Sequence, residues 1–325
     1  MVIPALVSRP MALLFAGAAL WPASAAAQSC QSNFTNVDFG TINPTSGFAA
    51  DSTGTFTVQC QGLANRTVRV CPNIGSGSGG DTGSGSPRVL KNGTLGLLFS
   101  FYQDAARSTV WGSWVWPWTA QYPAPQLDIP LGPTGQASQS YPLYARVFPG
   151  QPTVAAGTYT SAFSGNHVRI SAGYTTVGNC ATISALNGTQ PGFNVTAVVG
   201  RTCTVATTAL DFGVRGGLTS ALDASGQLRV TCTSGAPYSV GLSGGASGAN
   251  SPTLRKMVQG ANSITYGLYA DAARTQPWFD TGGFFQATGT GTGLAQTFTV
   301  YGRVPAQTTP PPGAYSDTVA VVVTY

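Results

Sequence analysis

The sequence contains no glutamate, only two lysines and a single histidine. Glutamate and lysine favour helices, so their scarcity argues against a helical protein. The one histidine, His167, stands in a stretch that reads as a turn followed by a strand, and the ten acidic residues, all aspartates, are dispersed. A hydrolase needs a convergent acid–base set, and none is indicated. We therefore predict no catalytic residue and no cofactor, and expect a protein that is not an enzyme.

Basic clusters and metal-binding motifs are also missing from the sequence. The formal charge is +5, but the arginines are scattered, so nucleic acid is not an expected partner. The glycine-rich residues 75–80 precede no Lys-Ser or Lys-Thr pair and are read as a flexible loop rather than a phosphate site. With no CxxC spacing and one histidine, a metal site is a weak alternative to disulfides for the six cysteines.

Glycine and proline, in contrast, are frequent, with 42 and 22 residues. Together with alternating apolar runs, this composition is typical of short strands joined by turns. Such runs occur at residues 55–58, 193–199, 297–301 and 318–323. The composition predicts an all-β chain of two sandwiches.

The strand pattern occurs twice along the chain. Each copy has two cysteines about 30 residues apart with Asp-Phe-Gly between them, then Asp-Ala-Ala-Arg, Tyr-x-Arg-Val and Gly-x-Tyr. A repeat this long is a domain used twice rather than a solenoid unit. We expect a signal peptide at 1–27, a first domain at 28–180 and a second at 181–325. The shared pieces lie at 30–60 and 203–232, 104–107 and 271–274, 144–147 and 301–304, and 157–159 and 313–315.

Residues that recur in both copies are expected to support the fold. Asp104 and Asp271, which open the Asp-Ala-Ala-Arg pieces, are read as turn formers and as partners of Arg107 and Arg274. The aspartates of the Asp-Phe-Gly pieces are read as turn formers in the same way.

Residues 1–27 have the pattern of a secretory signal peptide. Arg9 precedes an apolar run at residues 11–20, and three alanines at 25–27 suit cleavage. A membrane anchor is the alternative, but the run is shorter than the ~20 residues of a spanning helix. Export would place the cysteines where disulfides persist. Matching positions in the two copies pair Cys30 with Cys60 and Cys203 with Cys232, which leaves Cys71 and Cys180 for each other.

These shared pieces resemble the spore coat protein U domain. The likeness is most specific in the second copy, with Leu-Asp-Phe-Gly, Leu-Tyr-x-Asp-Ala-Ala-Arg, Tyr-Gly-Arg-Val-Pro and Gly-x-Tyr-x-Asp-Thr-Val, whereas the first departs from it at 62–98 and 108–140. Such domains form archaic chaperone–usher pili, and the two-domain layout is similar to that of their tip adhesin. The resemblance implies an incomplete immunoglobulin-like fold that a neighbour's strand completes. It also implies a periplasmic chaperone, an outer-membrane usher and an adjacent pilin subunit as partners, and a place at the cell surface, at a pilus tip.

The apolar strand at the end of the second copy is the expected acceptor of a donor strand. Val319, Val321 and Val323 alternate, as residues facing a groove would. From the residues alone, a complete seven-strand domain is an equal alternative; the resemblance favours the incomplete one. Cleavage would leave only Gln28 and Ser29 before the first cysteine. These are too few to donate, so we expect a chain that accepts a strand at the distal end of a fibre.

Four tryptophans lie within eight residues of the first copy. Trp111 aligns with Trp278 of the second copy and is expected in the core, whereas the others fall in an insertion. Contiguous exposed aromatics mark contact surfaces, so we expect a projecting loop that binds hydrophobic surfaces and supports biofilm formation. Residues 75–87 and 148–154 are expected at the same pole. The expected surface-binding residues are Trp114, Val115, Trp116, Pro117, Trp118 and Tyr122.

Several alternatives stay open at this point. The tryptophan rings could instead pack a small core of their own. Aromatic platforms also bind sugars, so a lectin-like secreted protein is a rival to a hydrophobic adhesin. A structural pilus or coat subunit is a further alternative, although it would require a donor strand before Cys30.

Overall fold

The computed structural model describes residues 28–116, 121–186 and 188–325, and the expected signal peptide lies outside them. Strands dominate, as the composition predicts, and α1 (Cys180–Ile183) is a single turn. No helix in the described ranges is long and apolar enough to span a bilayer.

The strands of the first copy form one wrapped sheet and a smaller sheet. The larger sheet has the order β1-β3-β8-β6-β5-β9-β11-β2, and the smaller has the order β10-β4-β7. Short 3₁₀ turns lie at Pro44–Ser46, Gly165–His167 and Thr175–Val177. The strands are β1 (Ser29–Phe34), β2 (Val37–Ile42), β3 (Ala50–Gln61), β4 (Thr67–Ile74), β5 (Arg88–Asn92), β6 (Leu95–Tyr102), β7 (Leu127–Pro130), β8 (Gln136–Val147), β9 (Gly157–Phe163), β10 (Val168–Tyr174) and β11 (Phe193–Val199).

The second copy forms a five-stranded sheet of order β12-β13-β18-β16-β15 and a three-stranded sheet of order β17-β14-β19. Its pairing repeats that of the first copy: β12 pairs with β13 as β1 pairs with β3, and β14 with β19 as β4 with β10. The strands are β12 (Cys203–Thr207), β13 (Leu222–Cys232), β14 (Pro237–Leu242), β15 (Arg255–Gln259), β16 (Asn262–Tyr269), β17 (Ala287–Thr290), β18 (Gln296–Val304) and β19 (Val321–Thr324).

Strand β11 belongs to the first sandwich. It runs antiparallel to β9 and parallel to β2, and therefore lies between them. The domain boundary predicted after Cys180 would cut this strand from the sheet that contains it. We propose a boundary after Val199 in its place.

The two sandwiches contain three disulfides, each within one sandwich. Cys30–Cys60 and Cys203–Cys232 join directly paired residues of neighbouring strands, β1 with β3 and β12 with β13. The third bridge, Cys71–Cys180, joins β4 to α1 over a sequence separation of 109 residues. It packs with Ile183 in a small buried cluster of its own.

The same tryptophan anchors the core of each copy. Trp111 and Trp278 are 2 % and 1 % exposed. Each indole N–H donates a 2.8 Å hydrogen bond to a carbonyl of the opposing sheet, that of Pro72 or Val240. The prediction that Trp111 lies in the core is confirmed. A buried indole with its N–H satisfied contributes a large apolar area without an unpaired donor.

Each core also contains a buried arginine that composition did not predict. Arg88 donates to the carbonyls of Gly75, Ile74 and Trp111 at 2.7–2.9 Å. Arg255 donates to the equivalent carbonyls in the second sandwich, including that of Trp278 at 2.9 Å. Burial lowers the pKa of Arg88 to about 9 and that of Arg255 to about 10, so both remain charged at neutral pH. A charged donor shared by carbonyls at a strand end and in the loops beside it holds these segments together.

The repeated aspartates form turns, but their predicted ion pairs with Arg107 and Arg274 are wrong. The Asp104 carboxylate accepts from the backbone N–H groups of Ser108 and Thr109 and so closes its own turn. Arg107 instead pairs with Asp51 at 3.3 Å. The Arg107 side chain reaches β8, where it donates to the carbonyl of Ala145 at 3.2 Å.

Each copy therefore has an arginine–aspartate–arginine triad on its outer sheet surface. Asp51 lies between Arg107 and Arg146, and Asp223 lies between Arg274 and Arg303, at 2.7–3.3 Å. The hydrogen bond from Arg146, together with the charge of Arg107, holds the pKa of Asp51 below its usual value. Arg303 and Arg274 act in the same way on the pKa of Asp223.

We expect Arg88→Met to lower the free energy of unfolding of the first sandwich by about 3–5 kcal/mol, because buried carbonyls lose a charged donor. Chemical denaturation of the purified chain measures the change. Arg201→Met, at an exposed arginine, is the control and should change stability by no more than about 0.5 kcal/mol. A loss below about 1 kcal/mol for Arg88→Met would show that water replaces the guanidinium there.

We expect the two triads to make stability depend on pH in acid. Their folded pKa values lie below the unfolded value of about 3.9, so the stabilisation is complete above that value and is lost as the pH falls through the folded one. The double variant D51N/D223N should flatten this acid loss, by less than about 1 kcal/mol per triad, because the groups are partly exposed. Unfolding midpoints between about pH 2 and 7 test this expectation, with D280N as the control. Equal acid sensitivity in the double variant and the parent would contradict it.

Candidate functional site

The second sandwich has an open groove where the first has β11. The groove encloses about 390 Å³ between the segment after β12 and the segment before β19. Its apolar floor comes from both sheets of the second copy. The lining residues include Leu210, Phe212, Leu228, Leu242, Met257, Tyr266, Leu268, Val300, Tyr315, Asp317, Val319 and Val321.

Matched positions in the two copies show what the missing strand would cover. Val37 and Phe163 are completely buried under β11, whereas their counterparts Leu210 and Val319 are half-buried. Tyr159 and Tyr315 both donate a 2.8 Å hydrogen bond to the carbonyl four residues earlier, yet only Tyr159 is fully buried. The second core is therefore built like the first and lacks one layer of contacts.

The same segments form strands only where β11 pairs with them. Val37–Ile42 is a strand, but residues 210–215 are not, although Asp38 and Asp211 accept the same backbone bond from Gly40 and Gly213 at 2.9 and 2.7 Å. Residues 313–319 likewise keep only a bridge from Ser316 to Val258, where the first copy has β9. Both walls of the groove present backbone groups that a strand could pair with.

A carboxylate lies on the floor of this groove. Asp317 accepts hydrogen bonds from the Tyr266 hydroxyl and from the backbone N–H of Ala246, both at 2.7 Å. Burial, and then the bond to Asp317, raise the pKa of Tyr266 well above its ordinary value, so its hydroxyl stays protonated. The pair ties residues 243–249 to the wall of the groove and keeps the floor in place.

The three valines predicted to accept a donor strand lie in two different environments. Val319 and Val321 line the groove. Val323 packs into the second core. Its strand, β19, pairs with β14 as β10 pairs with β4, and in the first copy β11 pairs with β9 and β2 rather than with β10. The role of these valines stays a prediction, and the groove places Leu210, Phe212 and Tyr315 beside the first two.

In the tryptophan-rich insertion, Trp114 is an anchor. Its indole N–H donates to the carbonyl of Ala124 at 2.8 Å, and its backbone N–H donates to the buried side chain of Asn73 at 2.6 Å. The half-buried ring packs against both the first core and the Cys71–Cys180 cluster. For this ring, the alternative of packing into a core describes the structure better than exposure does.

Trp116 lies further from the core, at one end of the first sandwich. It is half-buried, as are Val115 and Tyr122. Its ring lies against Gly75: a Cβ atom added at this glycine would be 3.6 Å from the ring, an ordinary van der Waals distance. Gly75 in turn donates to the carbonyl of His167 at 2.7 Å. Pro117 and Trp118 lie outside the described residues.

The loops predicted at this pole are separated in the structure. Gly75, the first residue of the predicted loop at residues 75–87, lies beside Trp116. Residues 148–154 lie at the opposite end, because Pro152 contacts Gly293 of the second sandwich and Ala156 donates to the carbonyl of Ser234 at 3.1 Å. Strand β9 begins at Gly157, next to this junction, and ends at Phe163, near His167, so the two loop groups are a strand length apart.

Sequence reasoning missed most of the groove. Leu210 and Tyr315 were visible as parts of repeated pieces, and that repetition suggested architecture alone. Among the described residues, no three or more His, Cys, Asp or Glu side chains are grouped to hold a metal ion.

One of the similar solved structures, with a TM-score above 0.5, supports the two-sandwich fold. A chain of the complex between the chaperone CsuC and the tip adhesion subunit CsuE, from archaic chaperone–usher Csu pili of Acinetobacter baumannii, matches with a TM-score of 0.54 at 16 % identity. The match covers 91 % of this chain and 100 % of that one. The CupB6 tip adhesin from Pseudomonas aeruginosa matches with a TM-score of 0.38 at 10 % identity, over 91 % and 94 % of the two chains.

A search of curated proteins finds no significant match. The Spore Coat Protein U domain, in contrast, matches twice, over residues 18–165 and 189–322. The first match ends before β10, and the second begins just before β11, the strand that lies in the first sandwich; together they cover most of the sequence. The chain belongs to the Spore Coat Protein U domain family.

Proposed function

We propose that this chain is the tip adhesin subunit of a chaperone–usher pilus, in which the second sandwich accepts a donor strand and the first binds surfaces. The observation that carries the proposal is the groove of the second sandwich, because the first sandwich shows the same groove filled by β11. A fold that exposes half-buried core residues beside unpaired backbone groups needs a strand from another chain.

The unequal completion of the two sandwiches supports a place at the end of a fibre. The first is closed by its own β11, so it needs no partner to complete it. Strand β1 pairs with β3 inside the same sandwich and is not available for donation. A closed sandwich ahead of an open one attaches through the open one alone, which leaves the first free to meet a surface.

Strand β11 shows what chemistry the donor strand needs. Its inward residues Phe193, Val195, Ala197 and Val199 are at most 4 % exposed, and the residues between them face outward. An adjacent pilin subunit would supply a strand with apolar side chains at such alternate positions. Before assembly at the outer-membrane usher, a periplasmic chaperone would supply a comparable strand. The neighbour with TM-score 0.54, a chaperone–tip subunit complex, is consistent with this partner.

The tryptophan-rich loop is the proposed surface-binding site, with Trp116 and Trp118 as the proposed contact rings and Val115, Pro117 and Tyr122 as further members of the site. Trp114 holds the loop to the core instead. A buried ring removes ~150–250 Å² from water, roughly 4–6 kcal/mol as an upper bound before association costs. Many pili acting together would multiply weak contacts, which suits attachment to hydrophobic surfaces and biofilm formation.

This function makes export through the periplasm to the cell surface part of the proposal. The expected signal peptide and the three disulfides are consistent with that route. Binding rather than catalysis is the proposed role, in keeping with a family of structural domains.

We expect an appended strand to close the second sandwich. A flexible linker after Tyr325 followed by a copy of residues 188–199 should give a soluble monomer, whereas the chain without it should need a pilus chaperone to stay soluble. Soluble yield, size-exclusion chromatography and thermal unfolding measure this. The same extension with aspartate at the position of Val195 is the control and should not rescue, because it would bury an unpaired charge. Equal solubility of all three proteins would rule out the acceptor groove.

We expect the tryptophans of the loop to divide into two classes. Trp116→Ala and Trp118→Ala should reduce adhesion of piliated cells to polystyrene several-fold with piliation unchanged. Trp114→Ala should instead lower the free energy of unfolding, by about 2–4 kcal/mol. Adhesion assays, pilus counts by electron microscopy and denaturation of the purified chain separate the classes. Full adhesion of the double variant W116A/W118A would remove this site from the proposal.

A further inference from the structure

The two sandwiches differ in one covalent feature that lies close to the strand they do not share. Cys30–Cys60 and Cys203–Cys232 occupy the same place in both copies. The third bridge, Cys71–Cys180, has no counterpart in the second sandwich and occurs in the copy that contains β11. Phe193, the first residue of β11, follows Cys180 by only 13 positions.

The bridge fastens the segment that leads into β11 to the smaller sheet of the first sandwich. Cys71, Cys180 and Ile183 are completely buried together. The side-chain amide of Asn73 donates to Ser184 Oγ at 3.0 Å, next to the bridge. Further along, Thr189 and Ile170 exchange two backbone hydrogen bonds of 2.8 and 3.0 Å.

Strand β11 itself is held by contacts that a second strand could reproduce. Its bonds to β9 and β2 are backbone bonds, apart from the 3.0 Å bond that Thr196 Oγ1 donates to Asp38 Oδ1, and its inward side chains are aliphatic or aromatic. A strand of the same alternating pattern from another chain would fit the same groove. What favours β11 over such a competitor is its high effective concentration, which rises as the tether to the groove becomes shorter and better fixed.

We propose that the Cys71–Cys180 bridge locks β11 into the first sandwich and thereby closes this sandwich to donor strands from other subunits. The chain is then limited to one donor strand, in its second sandwich. Without the bridge, residues 175–192 form a longer unfastened linker between β10 and β11. The first sandwich can then accept a donor strand as well. The count of one rests on the proposed function, but the effect of the bridge on the first sandwich does not.

The test counts the strands that bind. The chain from residue 28 is unfolded with its disulfides intact and refolded in the presence of an excess of a synthetic peptide of residues 188–199, and native mass spectrometry gives the number of peptides bound. We expect one peptide on the wild type and two on the double variant C71A/C180V, which fills the buried site without a bond. C203A/C232V removes the bridge that follows β11, which joins β12 to β13 and leaves the segment leading into β11 unchanged, and is the matched control; it should bind one peptide.

The outcomes separate this inference from the proposed function. One peptide on both the wild type and C71A/C180V would overturn the lock and leave the open second groove intact. Two peptides on the wild type would also overturn it. No peptide on the wild type and one on the variant would support the lock while refuting the second sandwich as an acceptor.

A second measurement applies if C71A/C180V does not fold. In the folded variant C30A/C60V/C203A/C232V, only the Cys71–Cys180 bridge can be reduced. Hydrogen exchange is then compared before and after reduction by a phosphine. We expect the amides of β11 to exchange at least tenfold faster after reduction, with those of β6 as the internal reference. Unchanged exchange in β11 would overturn the proposal.

Discussion

The difference in completeness between the two sandwiches follows from one strand pairing, that of β11 between β9 and β2. In the first sandwich this pairing satisfies the backbone groups of both neighbours and covers Val37, Tyr159 and Phe163 completely. In the second, the equivalent walls have apolar residues at the same positions and no strand between them, so they lose their strand geometry as well as their burial. A sandwich tolerates an open edge only when another chain is available to pair with it.

The frame around that pairing is the same in both copies, which indicates which features support the fold. Three features occur once in each sandwich. They are a tryptophan hydrogen-bonded to the opposing sheet, a buried arginine that donates to several backbone carbonyls, and an arginine–aspartate–arginine triad. Function is therefore associated with what is not repeated. The unrepeated features are the tryptophan-rich loop, β11 and the Cys71–Cys180 bridge of the first copy, and the open groove of the second.

Local chemistry explains which predictions from the sequence were confirmed. The absence of glutamate and the alternating runs depend on propensity and period, and they indicated strands correctly. The two cysteine pairs and Trp111 followed from repetition, which aligns equivalent positions. The anchoring of Trp114 did not follow from the local pattern, because Asn73 and the Cys71–Cys180 cluster, which hold it together with Ala124, come from other parts of the sequence. The placement of residues 148–154 failed for the same reason, since contact with the second sandwich decides it.

By itself, the sequence determined that the chain is all-β, that it contains one domain twice, and that the copies share strands, cysteines and core anchors, because each of these is a matter of local period or repetition. Only the tertiary structure decided which sandwich is complete. Residues 193–199 read as a strand in any context. Whether that strand fills a groove before it or after it depends on pairing partners some 150 residues away, at Val37–Ile42, and no local pattern specifies them.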